Sequence, residues 1–571
     1  MERWVLLRKG ADFEAISEKF HISPRLASLI RNREVIGDDA IEQYLNGTIA
    51  ELHDGMLMKG MSQAVEILTE KIREKEKIRV IGDYDCDGIN ATYILLEGLE
   101  KLGAKADSDI PDRIKDGYGL NKHLIDRAHE DGIDTIITCD NGIAAIEEIS
   151  YGKELGMTII VTDHHEVPYE ENESGRRYIL PPADAVVDPR QEGCEYPFKG
   201  LCGAAVAYKL VEALCEANGQ DAADMDYLLE NVAIATVADV MDLVEENRIL
   251  VRQGLEMLER TSNLGLRALI ECIGLEGNKI QAYHIGFILA PCLNASGKLD
   301  TAKRALALLR AKTKREADIL AGDLKALNES RRDMTDRVVE EAMLQVEQTD
   351  IQHDKVLVIY LPDCHESLAG LAAGRVRENY YRPVFVLTDA EDGVKGSGRS
   401  IESYSMYEEL VKCSDLLTKF GGHPMAAGLS LEKKNVEEFR RRLNAQCRLS
   451  GEELTEKVVI DMELPFSCIT ENFIEELTCL EPFGKGNSKP VFAARGVTMK
   501  NVKIVGKNKN VAKAVAVDSA GNRIEAICFR DVQQFVEQCE KNNGKMDITF
   551  YPGINEFRGE RQIQVTITHY R

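Results

Sequence analysis

VIGDYDCDG, from Val80 to Gly88, decides how this 571-residue chain is read. A β-branched run, Ile78-Arg79-Val80-Ile81, stops at a glycine and then presents Asp83, Asp85 and Asp87 at alternate positions. The same grammar returns twice. Thr135-Ile136-Ile137-Thr138 leads to Asp140 within ITCDNG (Ile137 to Gly142), and Thr158-Ile159-Ile160-Val161 leads to Asp163-His164-His165 within VTDHHE (Val161 to Glu166). A fourth acidic segment, TVADVMDL (Thr236 to Leu243), contains Asp239. Short continuous apolar runs that alternate with helix-length segments read as buried parallel strands. Residues 78–240 are therefore expected to form a doubly wound α/β sheet. In such sheets ligands gather beyond the carboxyl ends of the strands, at a topological switch point.

Several carboxylates brought to one sheet end repel one another unless cations neutralise them. Hard oxygen ligands with one or two imidazoles suit Mg²⁺ or Mn²⁺, and the histidine share favours Mn²⁺. Two such ions about 3.5–4 Å apart clamp an in-line displacement at phosphorus and activate water at neutral pH. That spacing needs a bridging carboxylate, for which Asp140 and Asp239 are the candidates. The expected chemistry is hydrolysis of a phosphoester or phosphoanhydride. A single Asp at a strand end is ordinarily a helix cap or turn residue; four such segments together point to metal. For Asp163 a second role is open, that of orienting a neighbouring imidazole.

Composition is that of an ordinary globular chain, 44% hydrophobic and 29% charged, long enough for two to four domains. No stretch has the length and apolarity needed to span a bilayer, and only Trp4 to Leu7 is apolar at the start. The 14 cysteines include no C-x-x-C pair, which argues against zinc knuckles and disulfide frameworks. A cytoplasmic chain with reduced thiols is expected, Cys86 and Cys139 being small buried residues beside site aspartates. The net charge of −25 speaks against a nucleic-acid binder taken globally, but its distribution does not. From Arg495 to Arg571 there are 13 Lys and Arg against 8 Asp and Glu, including Lys500, Lys503, Lys507, Lys509 and Lys513. That cluster suits a groove tracking a phosphate backbone.

Outside the acidic motifs, residues 1–75 read as mainly helical and residues 240–345 as helices. The segment from Thr313 to Gln348 reads as one long helix with Leu320, Leu324 and Leu327 on one face, a connector between two lobes. Strands resume at Lys355 to Tyr360 and Val384 to Leu387 in a second α/β lobe. Short alternating runs after Val458 imply a small β-barrel. Gly421-Gly422-His423 reads as a glycine-rich turn able to bring backbone donors to an anion, and Gly396 to Ser400 as a further glycine-flanked loop.

GDYDCDG, CDNGI, the Asp163-His164-His165 triplet and VADVMDL stand in the order of the catalytic motifs of the DHH phosphoesterase superfamily. Within it the chain resembles the RecJ single-stranded-DNA exonucleases. VVDPRQEGCEYPFKGLCGAAVAYKL (Val186 to Leu210) is similar to the segment joining the third and fourth motifs of that family. IPDRIKDGYGLN (Ile110 to Asn121), NASGKLDTA (Asn294 to Ala302), GSGRS (Gly396 to Ser400), FGGHPMAAG (Phe420 to Gly428) and LEPFGKGNSKPVF (Leu480 to Phe492) extend the resemblance over residues 45–571.

The resemblance implies a helical segment (1–75), a DHH catalytic domain (76–312), a connecting helix (313–350), a DHH-associated α/β domain (351–450) and an OB-fold domain (451–571). It implies two Mn²⁺ or Mg²⁺ ions held by Asp83, Asp85, Asp87, Asp140, His164 and Asp239. Asp85, Asp140, His165 and His423 would be catalytic, the two histidines stabilising charge on the scissile phosphate. Arg113, Ser397 and Arg399 would grip a terminal 5′ phosphate, with His423, Asn294 and Lys298 also on DNA. The implied activity is 5′→3′ hydrolysis of single-stranded DNA to 5′ mononucleotides in repair and recombination. A monomer that works with a helicase and a single-strand-binding protein is expected. Three departures stand out. Ile81 occupies the place of a metal-binding histidine four residues before Asp85, Leu293 and Lys298 occupy places where arginines are expected, and the barrel closes the sequence. The competing readings are a DHH oligoribonuclease or cyclic-dinucleotide phosphodiesterase, and a non-catalytic DNA-binding scaffold.

Overall fold

The computed structural model describes residues 2–112, 119–172, 175–299, 301–391, 393–506, 508–557 and 559–571. The chain divides into two compact units. One consists chiefly of Lys325–Val458, and the other of Val5–Gly297, Thr301–Leu324 and Val459–Arg571.

The β-branched runs of the larger unit form a five-stranded, wholly parallel sheet. Its spatial order is Lys105–Asp109, Lys77–Ile81, Thr135–Cys139, Thr158–Thr162, Ala185–Val187, or 2-1-3-4-5 in chain order. Ile78, Val80, Ile81, Ile136, Ile137, Ile159, Ile160 and Val161 are all buried, as strands covered on both faces require. The helix Cys86–Lys101 is apolar almost all round and buried accordingly. Its Gly98 admits Val211 of the helix Gly203–Ala217, whose Cγ2 would lie 2.5 Å from an added Cβ. In this strand order the direction of winding reverses between Lys77–Ile81 and Thr135–Cys139, the position where a doubly wound sheet opens a crevice.

The same unit contains the barrel. Its strands run Met462–Glu463, Phe492–Val505, Val511–Val517, Arg523–Cys528, Glu560–Tyr570, Lys545–Phe557, and pairing of Phe492–Val505 with Lys545–Phe557 closes it. Closure removes the open edges that an isolated sheet would leave. Lys503 and Lys513 face each other across adjacent strands, and both are exposed. Lys507 lies outside the described residues.

Leu26, Leu29, Ile30, Ile41, Tyr44 and Leu45, from the first helices, share one core with Phe466, Phe473, Leu480, Phe492 and Phe550 of the barrel region. Buried Arg248 fastens this arrangement to the sheet domain. It donates to the carbonyls of Tyr44 (2.9 Å), Leu480 (3.0 Å) and Cys479 (2.8 Å) while its guanidinium lies 3.8 Å above the Tyr44 ring. The first residues are not helical. Glu2–Leu6 is a strand beside Glu456–Ile460, and five residues are too few for a periodic signal to appear.

The helix Lys314–Gln348 has 35 residues, about 52 Å at 1.5 Å per residue. Ala317, Ala321, Leu324, Asn328, Thr335, Ala342 and Val346 form its buried stripe. The division between the two units falls within it, after Leu324.

The smaller unit has a five-stranded sheet in the order Leu417–His423, Ala426–Leu431, Gly393–Arg399, Val384–Ala390, Leu357–Tyr360; only the last pair is parallel. Two sequence expectations are corrected here. Gly396–Arg399 is the second half of the strand Gly393–Arg399 rather than a loop, and Gly421-Gly422-His423 ends a strand, the turn being Pro424-Met425. The glycines serve packing. A Cβ on Gly396 would sit 2.3 Å from Leu387 Cδ2, and one on Gly398 2.6 Å from Met406 Sδ.

Candidate metal centre

Local chain geometry delivers each acidic side chain to the switch point. Asp85 caps the helix Cys86–Lys101, its Oδ1 accepting from the backbone of Asp87 (3.0 Å) and Gly88 (3.1 Å). Gly88 is required because a Cβ there would fall 2.5 Å from the Asp83 nitrogen. Asp87 points at the first turn of the helix Gly203–Ala217 and accepts from the Gly203 and Ala204 amides, both at 2.7 Å. Unpaired amides and the positive end of the helix dipole stabilise its charge. Gly203 also lets that helix approach Asp140, whose Cβ would be 2.6 Å from an added methyl group. Asp140 itself has φ = +60°, which turns it back toward the cluster at the end of its strand.

His164 Nε2 is 3.1 Å from Asp140 Oδ1, 3.7 Å from Asp87 Oδ2 and 3.8 Å from Asp239 Oδ2. Potential ligand atoms within 4.8 Å of one another form three overlapping groups: Asp83, Asp85 and Asp140; Asp87, His164 and Asp239; and Asp140, His164 and His165. Asp140 belongs to the first and third groups and adjoins the second through His164. Asp239, the C-cap of the helix Leu229–Ala238, belongs to the second group alone. Asp163 is turned away into hydrogen bonds. Its Oδ2 accepts from the Ile143 amide (2.9 Å), and its Oδ1 from the His164 amide (2.8 Å) and His165 Nδ1 (2.7 Å).

The electrostatics follow from burial. Burial, reinforced by the charge of Asp85, pushes Asp83 up to about 8. Burial and neighbouring carboxylates hold Asp87 and Asp140 well above the ordinary range, and the same causes bring Asp239 to about 6. Burial, with the charge of His165, lowers His164 to about 4, so at neutral pH its imidazole is uncharged and able to bind a cation. Burial opposes charge on His165 too, but the bonded Asp163 carboxylate outweighs it and raises His165 to about 9. Cys139 is pushed up to about 12 by burial and stays a thiol.

These residues fit a pair of hard divalent cations. The donor set is carboxylate oxygen with one neutral imidazole, and Asp83 Oδ1 is buried without a hydrogen-bond partner among the described residues. Bound cations would remove the repulsion that otherwise forces protons onto the cluster.

Family models match the chain in three places: the DHH family, N-terminal domain over residues 77–236, the DHHA1 domain over 353–449, and the RecJ OB domain over 460–569. The single-stranded-DNA-specific exonuclease RecJ of Bacillus subtilis is 36% identical over 570 residues, covering 99% of this chain and 70% of the relative. RecJ of Salmonella typhimurium is 33% identical over 585 residues and covers 98% of both. The chain belongs to the RecJ family. Among solved structures, RecJ from Thermus thermophilus in complex with Mn²⁺ superposes with a TM-score of 0.84 at 27% identity, covering all of this chain and 79% of that one. The Mg²⁺ complex of the same protein gives 0.78 at 26%, covering 100% of this chain and 78% of that one. RecJ-type fold and divalent-metal chemistry are thereby common ground with this chain.

In this RecJ-family chain the remaining candidate residues are dispersed. Ser397 and Arg399, on one strand of the smaller unit, converge on Gly370 of the helix Glu366–Tyr380; a Cβ there would lie 2.9 Å from Arg399 Nη2 and 3.3 Å from Ser397 Oγ. His423 is exposed at a strand end in the same unit. Asn294, in the larger unit, is half-buried on the helix Ala290–Leu299. Arg113 and the side chain of Lys298 lie outside the described residues. The sequence reading missed the role of Gly203 and Ala204. A glycine followed by a helix-forming run (GAAVAYKL) signals a helix start, but nothing local says that an aspartate more than a hundred residues earlier meets it.

Proposed function

We propose that this chain is a single-stranded-DNA-specific 5′→3′ exonuclease that hydrolyses phosphodiester bonds to 5′ mononucleotides in DNA repair and recombination. The observation that carries the proposal is the buried carboxylate and imidazole cluster spanned by Asp140, in a chain that matches RecJ exonucleases over nearly all its length. Asp83, Asp85 and Asp140 would hold one Mn²⁺ or Mg²⁺ ion, and Asp87, His164, Asp239 and the shared Asp140 the other. Bound there, the ions supply activated water and neutralise charge on the phosphoryl oxygens.

The chain's own residues do the rest. The amides of Gly203 and Ala204 keep Asp87 in place and favour its charged form, against the burial and neighbouring carboxylates that oppose it. Asp163 fixes the His165 ring and keeps it protonated, so that this exposed side chain donates to a phosphoryl oxygen as charge builds there. His423 donates to the phosphate as a second imidazole. Arg399, Ser397 and Arg113 bind the terminal 5′ phosphate, for which a guanidinium fork is suited. Asn294 and Lys298 hold nucleotides near that end, and the lysine-bearing barrel holds the strand beyond it. The chain is proposed to act in the cytoplasm as a monomer beside a helicase and a single-strand-binding protein. No helix among the described residues is long and apolar enough to cross a membrane.

The test is digestion of a long single strand labelled at its 5′ or its 3′ end, with Mn²⁺ and with chelator. Immediate metal-dependent release of the 5′ label as mononucleotide, with late release of the 3′ label, is expected. Hydrolysis of dinucleotides alone would overturn the proposal in favour of a short-substrate enzyme.

A further inference from the structure

The helix that contains Asn294 begins with a feature the exonuclease mechanism leaves unused. It starts as α-helix at Ala282–His284, passes through a π-helical turn at Ile285–Leu289, and continues as α-helix at Ala290–Leu299. Tyr283 and Phe287 stand on it 60% and 71% exposed. Their rings stack on each other, centroids 4.9 Å apart and planes 27° from parallel. Single exposed apolar residues are common, but two large rings stacked in water are informative. π-helical turns concentrate at functional sites.

The helix holds these rings in a fixed relation to the metal centre. Gly286, between them in sequence, faces inward, where an added Cβ would lie 3.6 Å from Val237 Cγ1. Val237 belongs to the helix Leu229–Ala238, which ends at Asp239. At the other end, Gly297 approaches Tyr84, between Asp83 and Asp85, so closely that a Cβ would be 2.4 Å from the Tyr84 carbonyl oxygen. One helix thus bears the two rings and Asn294, and rests on segments of both ligand groups.

We infer that Tyr283 and Phe287 form a stacking platform for a nucleobase of the single strand, holding a nucleotide beside the metal centre. The inference rests on the exonuclease reading above. Two aromatic side chains offer about 150–250 Å² each, well short of the ~800 Å² per partner of a stable protein interface. They match the faces of one or two bases. Stacking is indifferent to base identity, as an enzyme that digests any sequence requires, and in a single strand the bases are free to stack.

The test uses the full chain with Mn²⁺ and 5′-phosphorylated, 3′-labelled single strands, either intact or with one abasic site stepped inward from the 5′ end. Wild type should show a KM raised on the order of tenfold when the abasic site occupies one or two adjacent positions. A Tyr283→Ala/Phe287→Ala double variant should raise KM for the intact strand by a similar factor and lose the added penalty at those positions. Phe287→Leu, which keeps an apolar side chain on the helix, should shift toward the double variant, and Phe287→Trp should retain wild-type behaviour. Digestion of intact strand with wild-type KM by the double variant, or an unchanged abasic profile, overturns the platform alone. Failure of wild type to release nucleotide from any strand overturns the exonuclease reading and the platform with it.

Discussion

The parallel sheet of the larger unit and the mixed sheet of the smaller one both present polar residues beside glycines, but they treat them in opposite ways. At the parallel sheet Asp83, Asp87, Asp140 and Asp163 are at most 3% exposed, and three of the four are pushed up in pKa. In the mixed sheet His423 is exposed and Ser397 and Arg399 are half-buried. Buried like charges cost far more than hydrated donors. The first arrangement is electrostatically strained until cations arrive, whereas the second is comfortable in water and loses little by waiting for an anion.

Asp140→Ala should break this contrast most severely. Release of 5′ mononucleotide should fall by at least on the order of a thousandfold, while thermal stability in chelator should hold or rise because one member of a repelling group is gone. Near wild-type cleavage would remove Asp140 from the centre. Gly203→Ala comes next. Its methyl group would sit 2.6 Å from Asp140 Cβ, at the helix turn that binds Asp87. A loss of about ten- to a hundredfold in activity, with unchanged circular dichroism, is expected. Arg399→Ala addresses the other sheet. The preference for 5′-phosphorylated over 5′-hydroxyl ends should drop about tenfold with little change in stability, and an undiminished preference would rule out the phosphate grip.

The smallest effect is thermodynamic. In chelator, Asp83 titrates near 3.8 when unfolded and about 8 when folded. The folded chain therefore binds protons that the unfolded chain releases. The associated stability is complete below the unfolded value and is lost as pH rises through the folded one. Saturating Mn²⁺ should cancel that loss, so the gap in melting temperature with and without metal should widen across this interval. A gap that narrows with pH would contradict the cluster's assignment to metal.

Much of the centre was legible because strand-end carboxylates are local signals. A β-branched run followed by Asp83, Asp140 or Asp163-His164-His165 states both the strand and what its end presents. The glycine-rich segments of the smaller unit were less legible. Glycine marks a turn and a close packing contact equally well, and in GSGR it marks the latter. The first helices show apolar faces without saying what covers them, and their cover proved to be the barrel core.

By itself the sequence determined the parallel α/β class, the divalent-cation chemistry, the long helix and the terminal barrel, since strand and helix periodicities and ligand chemistry are properties of short segments. Only the tertiary structure decided that Asp140 spans the ligand groups, that Asp163 serves His165, and that the first turn of Gly203–Ala217 grips Asp87. Those outcomes depend on strand order, on one backbone angle and on a helix reaching across the sheet. Each is set by contacts between residues far apart in the chain, which no local pattern encodes.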